Sequence, residues 1–316
     1  MEILRDCDSD QEWDDFQLNS PQGSVYMTSS FLRSLQIDVK KIFYEVDDVV
    51  IASAAISDAL PSFSLYQGIT LVPLQGKGHS VINQQLKILS AFLDRLAERF
   101  ATLNLCLSNQ FKDLRAFQWV NYHNPEKGMF DLLLNYTAII NLKDYTNFAS
   151  YLESIRSVRR QEWKKGLKSE FNIVDSVNVD EFIRLYELTF DRQSISLNDQ
   201  TIQTVRRITQ SAIDEKKGNL TFCYDSLGTP HSAMLTLVHN KTRYYQFGST
   251  DPQYRSSSAS VFLMLNNIRK AYEEDIDYFD MVGINSPNRG DFKLSFNAIP
   301  VPYFTAKWGQ IRLINN

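Results

Sequence analysis

The sequence predicts an α/β protein, more strictly α+β with mixed sheets, made of two domains in which helices flank a twisted sheet. Two observations lead to this prediction. Both halves of the chain contain the same order of elements, namely three strands joined by short turns, an amphipathic helix and a further strand. The chain has 316 residues and 43% hydrophobic content, which suits two medium-sized domains with well-filled cores.

In the first half, strands are predicted at residues 42–46 and 49–57, around the Asp47-Asp48 turn, and at 64–68. Apolar residues then repeat at helical spacing between residues 82 and 96, and leucines alternate between residues 103 and 107 as in a strand. These elements form the first copy of the repeated order.

In the second half, the strands are predicted at residues 220–224, 231–238 and 243–248, followed by an apolar helical stripe from residue 261 to 272 and a strand at 278–282. A structural duplication is the favoured interpretation, and a chance match of common elements is the alternative. We expect the domain boundary after the strand at 137–142, so the domains are residues 1–143 and 144–316.

Composition excludes several function classes. The net charge of −4 provides no overall basic field for nucleic acid. The chain has 3 cysteines, which lie far apart, and 4 histidines without the spacing of metal ligands, so neither a disulfide framework nor a metal site is predicted. No apolar run approaches the roughly 18 residues that span a bilayer, and a cytoplasmic protein is expected. The sequence does not indicate an oligomeric state.

A basic segment follows the expected boundary. Residues 156, 160, 164 and 168 are all Arg or Lys and lie four apart, so they share one face of a predicted helix. A solvated surface helix and a platform for phosphate groups are both consistent with this pattern.

The strand at 243–248 ends next to a serine-rich helix start. Ligands of α/β sheets collect at strand ends and helix N-termini, where backbone N–H groups attract anions. Tyr245 and Ser249, at the end of the strand, and Arg255 and Ser257, before the helix, are therefore predicted to bind substrate or cofactor. One serine is explained by helix capping alone, whereas three serines beside an arginine leave room for an anion.

Lys293 is predicted to lie in a loop after the strand at 278–282, directly after Phe292. Loops at strand ends carry functional residues more often than other loops do. The alternative is a surface lysine whose stem covers an apolar segment.

Together with Gly23–Leu32 and Leu185–Arg192, these segments resemble the Fem-like branch of the GNAT acyltransferase superfamily. That branch includes peptidoglycan aminoacyl transferases and acetyltransferases of polysaccharide biosynthesis. The resemblance covers nearly all of residues 220–308 and is looser in the first half. It rests on an ordered set of segments rather than on one specific motif.

The resemblance implies tandem GNAT-like domains and transfer of an acyl or aminoacyl group without a metal. The family's Phe-Lys pair falls on Phe292 and Lys293, and the lysine is expected to stabilise negative charge on the reacting carbonyl. The family's basic helix falls on Arg160, Lys164 and Lys165, which are expected to contact a substrate diphosphate. The implied acceptor is a nucleotide-linked or glycan amine of a cell-envelope polysaccharide or peptidoglycan precursor.

The donor stays open between acyl-CoA, such as acetyl-CoA, and aminoacyl-tRNA bound by its acceptor stem. A glycine-rich pyrophosphate loop is not evident at residues 255–260, and the helical-hairpin arm of some tRNA-using members is not visible either. A non-catalytic module that binds polysaccharide intermediates or a biosynthetic partner is the alternative function. An inter-domain or strand-splayed channel that reaches Lys293 favours the enzyme, and a solvent-exposed Lys293 favours the binding module.

Overall fold

The computed structural model describes residues 1–309, apart from the side chains of Asn288 and Arg289. The chain divides into two compact units, of which the first is Met1–Asn135 with the chain from Pro302 onward and the second is Tyr136–Val301. This division lies before the expected domain boundary at residue 143, and it assigns residues 302–309 to the first unit. The boundary at residue 143 stays a prediction.

The first unit is built around an antiparallel sheet. Its elements are β1 (Glu2–Asp6), α1 (Asp10–Asn19), α2 (Ser29–Ser34), β2 (Lys40–Val46), β3 (Val49–Ile56), β4 (Ile69–Leu71), α3 (His79–Arg99), β5 (Leu103–Cys106) and α4 (Arg115–Trp119). Strands β1 to β4 lie in sequence order, and each pairs antiparallel with the next. The turn predicted at Asp47-Asp48 joins β2 to β3, and both residues have positive φ.

One expected strand of this unit is wrong. The structure has the strand at Ile69–Leu71 and not at residues 64–68. Tyr66 has a φ of 55°, which lies in the left-handed region and cannot continue a strand. The helix prediction is confirmed, because α3 buries Leu89, Leu93 and Leu96 completely in the core of this unit.

The second unit contains most of the remaining elements. They are β6 (Asp131–Asn141), which begins in the first unit, α5 (Phe148–Ser154), α6 (Ser157–Lys168), β7 (Asn172–Asp175), α7 (Val179–Asp191), α8 (Asp199–Asp214), β8 (Gly218–Tyr224), β9 (Pro230–His239), β10 (Thr242–Thr250), α9 (Ala259–Glu273), β11 (Tyr278–Asp280) and α10 (Pro287–Leu294). The last strand, β12 (Ile299–Trp308), pairs antiparallel with β5 over Thr305–Trp308 in the first unit.

The sheet of the second unit is mixed. Its strand order is β6-β11-β10-β9-β8-β7, in which β10 and β11 are parallel and the other neighbours are antiparallel. The order β8, β9, β10, α9, β11 repeats the order β2, β3, β4, α3, β5 of the first unit. The predicted α/β architecture with mixed sheets and flanking helices is confirmed.

Helix α9 forms the centre of this unit's core. Leu263, Met264 and Leu265 are each 0% exposed, because the helix is covered on several sides. Helix α6 packs closely against it: a Cβ atom on Gly166 would lie 2.4 Å from a ring carbon of Phe262. A glycine is therefore required at this crossing of α6 and α9.

No helix within residues 1–309 combines the length and the apolar character needed to cross a membrane.

Candidate active site

The parallel strands β10 and β11 separate at their carboxyl ends. Within the described residues, they pair only from Thr242 with Tyr278 to Tyr244 with Asp280. Strand β10 then continues to Thr250 along β9, with a register shift between Tyr245 and Phe247. Such irregularities re-aim side chains and are frequent next to active sites. The end of a parallel pairing in a sheet of this kind is a usual place for a ligand.

A cleft of about 220 Å³ lies in the second unit beside this part of β10. Strands β9 and β10, helices α7, α9 and α10, and the segment before α9 supply its walls. The lining residues are Thr189, Arg192, Ser232, Ala233, Met234, Tyr245, Gly248, Ser249, Thr250, Pro252, Arg255, Ser260, Met264 and Phe292. Hydroxyl groups and two guanidinium groups thus face an otherwise apolar cleft, which is the usual character of a small-molecule site.

Tyr245 lies across the backbone of Gly248. A Cβ atom at position 248 would be 2.0 Å from the Tyr245 hydroxyl oxygen and 2.8 Å from the adjoining ring carbon. Only glycine leaves the tyrosine ring in this place, so Gly248 determines the shape of the cleft wall.

Arg192 and Arg255 differ from the other arginines. Of the arginine side chains that the structure describes, only these two lack a hydrogen-bond acceptor, an ion-pair partner or an aromatic contact, and both line the cleft. Arg192 ends α7, and Arg255 lies in the 3-10 turn before α9. An unpaired guanidinium is a strong donor for phosphate or carboxylate. The cleft is therefore suited to an anionic ligand.

The prediction from sequence did not include Arg192 among the binding residues. A signal was present, because none of the residues three or four positions away (Leu188, Thr189, Ile195 and Ser196) is acidic. That pattern leaves an arginine without a local partner on its helix.

The serines before α9 are used differently from a simple cap. The cap position belongs to Ser258, which has a φ of 72° and no side-chain capping bond. Ser257 Oγ instead accepts a hydrogen bond from the Ala259 N–H at 3.3 Å. Ser249 is buried, and its Oγ donates to the Ala233 carbonyl across the sheet at 3.3 Å.

Lys293 lies on a helix rather than in the expected loop. It occupies the last turn of α10 and is 8% exposed. Its Nζ donates to the carbonyl oxygens of Gly283 at 2.9 Å and Val282 at 3.4 Å, just after β11. Nζ also lies 5.4 Å from the centroid of the Tyr245 ring. Lys293 is not solvent-exposed, but it is not among the residues that line the cleft, so the choice between enzyme and binding module stays a prediction.

Phe292 connects Lys293 to the cleft. Its ring lines the cleft, and the guanidinium of Arg159 lies 4.9 Å from its centroid. Arg159 also donates to Ser295 Oγ at 2.7 Å and pairs with Glu162 at 2.6 Å. These contacts fix the orientation of the Phe292 ring.

The basic residues predicted to share one face of α6 make different contacts. Arg156 precedes the helix and pairs with Asp291 at 2.8 Å. Arg160 donates to the carbonyl oxygens of Glu153 at 2.7 Å and Ile155 at 2.8 Å. It thereby satisfies carbonyl groups at the end of α5, which otherwise have no intrahelical donor.

Three lysines of α6 are exposed, namely Lys164, Lys165 and Lys168. Lys164 is exposed, and its ammonium has no hydrogen-bond or ion-pair partner in the described part of the chain. Lys165 is exposed as well, but its Nζ donates to the Ser256 carbonyl at 2.7 Å. Lys165 thus lies at the segment that carries Arg255 and Ser257.

The structure therefore groups some predicted site residues and separates others. Tyr245, Ser249, Arg255 and Phe292 line one cleft, and Lys293 contacts its Tyr245 wall. Ser257 and Lys165 lie on the adjoining segment, whereas Arg160 and Lys164 are not among the lining residues. The functional roles of all of them stay predictions.

Residues 1–309 contain no group of three or more histidine, cysteine, aspartate or glutamate residues placed to hold a metal ion. Burial raises the pKa of the Cys223 thiol to about 12, and this residue is 0% exposed. A thiol in that state is a poor nucleophile, because the thiolate is the reactive form.

Comparisons with known proteins show a family match for part of the chain. Residues 150–294 match the acetyltransferase (GNAT) domain family, and this range falls within the second unit. A comparison with curated proteins finds no match.

Solved structures share the whole fold at low sequence identity. FemX is 13% identical and aligns over 96% of both chains with a TM-score of 0.69. The C-terminal domain of an Agrobacterium fabrum protein assigned as a lysylphosphatidylglycerol synthetase is 11% identical, over 95% of this chain and 92% of that one, with a TM-score of 0.53. A tandem GNAT protein from the clavulanic acid biosynthesis pathway is 10% identical over 98% of both chains, with a TM-score of 0.52.

At these identities the structural similarity shows the fold, and the family match to residues 150–294 places the acyltransferase domain in the unit that holds the cleft. The tandem GNAT-like prediction is confirmed. Residues 150–294 thus form a transferase domain of the GNAT superfamily, and the chain shares its overall fold with FemX and with a tandem GNAT protein.

Proposed function

We propose that the protein is an N-acyltransferase that moves an acyl group from acetyl-CoA or a related acyl-CoA to an amine of a cell-envelope polysaccharide or peptidoglycan precursor. The observation that carries the proposal is the cleft beside β10, where Arg192 and Arg255 have no partner within the described residues. Acyl-CoA and aminoacyl-tRNA both carry phosphate groups. Two unpaired guanidinium groups can bind such groups in a bidentate manner.

The elements around the cleft support this arrangement. Arg255 lies just before α9, whose N-terminus adds a favourable dipole for anions. Lys165 holds the same segment through the Ser256 carbonyl. The diphosphate of the donor would bind at this end, and the acyl group would extend towards Tyr245 and Phe292 on the cleft wall.

The chemistry is a direct transfer. The acceptor nitrogen forms a bond to the acyl carbon, negative charge develops on the carbonyl oxygen, and the bond to the donor sulfur then breaks. The nitrogen releases a proton to solvent, and the departing CoA thiolate takes up a proton and leaves as the free thiol. The Lys293 ammonium would stabilise the negative oxygen, an effect worth several kcal/mol in a site with little water. Holding the two substrates in line supplies a further large part of the rate enhancement.

Aminoacyl-tRNA is the second candidate donor. One neighbour with the same fold is assigned as a lysylphosphatidylglycerol synthetase, whereas the tandem GNAT neighbour is described in relation to AcCoA. The exposed ammonium of Lys164 on α6 is available to a tRNA acceptor stem or to a nucleotide-linked acceptor.

Separate calorimetric titrations with acetyl-CoA and with a charged tRNA test the proposal. We expect acetyl-CoA to bind, and we expect Arg192→Gln and Arg255→Gln each to weaken binding about tenfold or more. Arg184→Gln is the matched control, because Arg184 lies on the same helix α7 and already pairs with Glu181. If charged tRNA binds and acetyl-CoA does not, the donor is aminoacyl-tRNA rather than acyl-CoA. If neither binds, the non-catalytic module is favoured.

A further inference from the structure

We propose that Asp280 is a positioning residue for Lys293, which it holds in place through the backbone turn at residues 281–283. The inference rests on the proposed function, in which Lys293 stabilises the reacting carbonyl oxygen. Asp280 ends β11, at the point where β10 and β11 separate. It reaches Lys293 through hydrogen bonds to the chain that follows it.

The Asp280 carboxylate is buried, and its Oδ1 atom accepts two hydrogen bonds. The residue is 1% exposed. Its Oδ1 atom accepts hydrogen bonds from the Thr137 hydroxyl at 2.5 Å and from the Val282 N–H at 2.7 Å. One oxygen atom therefore ties β6 to the turn that follows β11. Burying a carboxylate costs desolvation free energy, which indicates that Asp280 has a specific role at this position.

The backbone conformation of Val282 indicates this role. Its φ of 53° places a β-branched residue in the left-handed region. Such a conformation is unfavourable and persists only where its surroundings impose it. The bond from the Val282 N–H to Asp280 supports this conformation from the residue itself, and bonds from the Met281 and Ile284 N–H groups to β6 hold the backbone on either side. Strain of this kind is concentrated at functional sites.

The strained turn presents acceptors to Lys293. The carbonyl oxygens of Val282 and Gly283 lie 3.4 Å and 2.9 Å from the Lys293 Nζ. Because both acceptors belong to the turn, a change in the turn moves the ammonium relative to Tyr245 and the cleft. Asp280 thus acts on Lys293 through Val282 and Gly283, without direct participation in the reaction.

NMR spectra of protein labelled with ¹³C-lysine test this directly. The Lys293 Cε signal is assigned as the one that Lys293→Arg removes, and the Lys164 signal serves as the exposed internal reference. We expect Asp280→Ala and Thr137→Val to shift or broaden the Lys293 signal and to leave the Lys164 signal unchanged. Asp280→Asn keeps an oxygen acceptor of the same shape, so it should retain most of the wild-type signal position.

Thr209→Val is the matched control for Thr137→Val. Thr209 is likewise 0% exposed and donates its hydroxyl to a backbone carbonyl, that of Val205 in α8. A general loss of stability would affect both threonine variants, whereas a positioning role changes the Lys293 signal in Thr137→Val alone. If Asp280→Ala does not fold, Thr137→Val decides the outcome.

A Lys293 signal that is unchanged in folded Asp280→Ala, or in Thr137→Val when the alanine variant does not fold, overturns the proposal. An equal shift in Thr209→Val overturns it as well. The measurement uses no substrate, so its failure is independent of the proposed function. If the proposed catalytic role of Lys293 is wrong, the Lys293→Ala variant will instead show normal turnover.

Discussion

The Nζ atom of Lys293 lies 5.4 Å from the centroid of the Tyr245 ring, and the same ring lines the cleft. One aromatic side chain therefore contacts both the buried cation and the space that a ligand would fill. A cation over an aromatic face is stabilised when water is excluded. A ligand that packs on Tyr245 is thus placed next to the only buried lysine among the described side chains.

Gly248→Ala is expected to displace Tyr245. The new Cβ atom would lie 2.0 Å from the tyrosine hydroxyl oxygen, so the ring must leave its place or strain the strand. We expect a loss of about 1–3 kcal/mol in the free energy of unfolding by urea. In a Tyr245→Ala background the same glycine substitution should cost much less, because the obstructing ring is gone. Equal costs in the two backgrounds would contradict this packing.

Arg160→Ala is expected to reduce stability. It removes donors from the carbonyls of Glu153 and Ile155 at the end of α5. We expect a loss of about 1 kcal/mol or more in the free energy of unfolding. Lys164→Ala, on the exposed side of the same helix, should change stability by less than about 0.5 kcal/mol. Unchanged stability of Arg160→Ala together with weaker substrate binding would instead support the diphosphate contact expected from sequence.

The Cys223 thiol is expected to be unreactive in the folded protein. Burial raises its pKa to about 12, against about 8.5 for a free thiol, so little thiolate exists at pH 8. Mass spectrometry of iodoacetamide-treated protein should show this cysteine unmodified until denaturant is added. The raised pKa in the folded state also implies stability that is present below about pH 8.5 and is lost as the pH rises towards 12. Rapid labelling at pH 8 would refute the burial.

Much of the fold follows from local sequence signals. The Asp47-Asp48 turn and the helical stripe of α3 are local features, and both are confirmed. The sequence predicts a loop in place of the helix that carries Lys293, because Pro287 and Gly290 are typical of loops. Pro287, however, lies in the first turn of α10, where a proline is tolerated.

The site was harder to predict, because its properties depend on distant partners. Charges spaced four apart place Arg160 on a helix face but do not show that the α5 carbonyls lie within its reach. The unpaired state of Arg192 depends on what surrounds α7 in the fold. The strand that carries Tyr245, by contrast, could be predicted, since the strand expected at residues 243–248 overlaps β10 (Thr242–Thr250) and its signal is local.

The turnover of Lys293→Ala tests the central claim most directly. It is measured with saturating acceptor and the donor that calorimetry identifies, beside wild type and Lys293→Arg. Because the ammonium acts mainly in the transition state, we expect turnover to fall by roughly a hundredfold or more, with little change in the Michaelis constant. Arginine should not restore activity, since a planar guanidinium does not fit the place of a compact ammonium. Near-normal turnover of folded Lys293→Ala would contradict the claim.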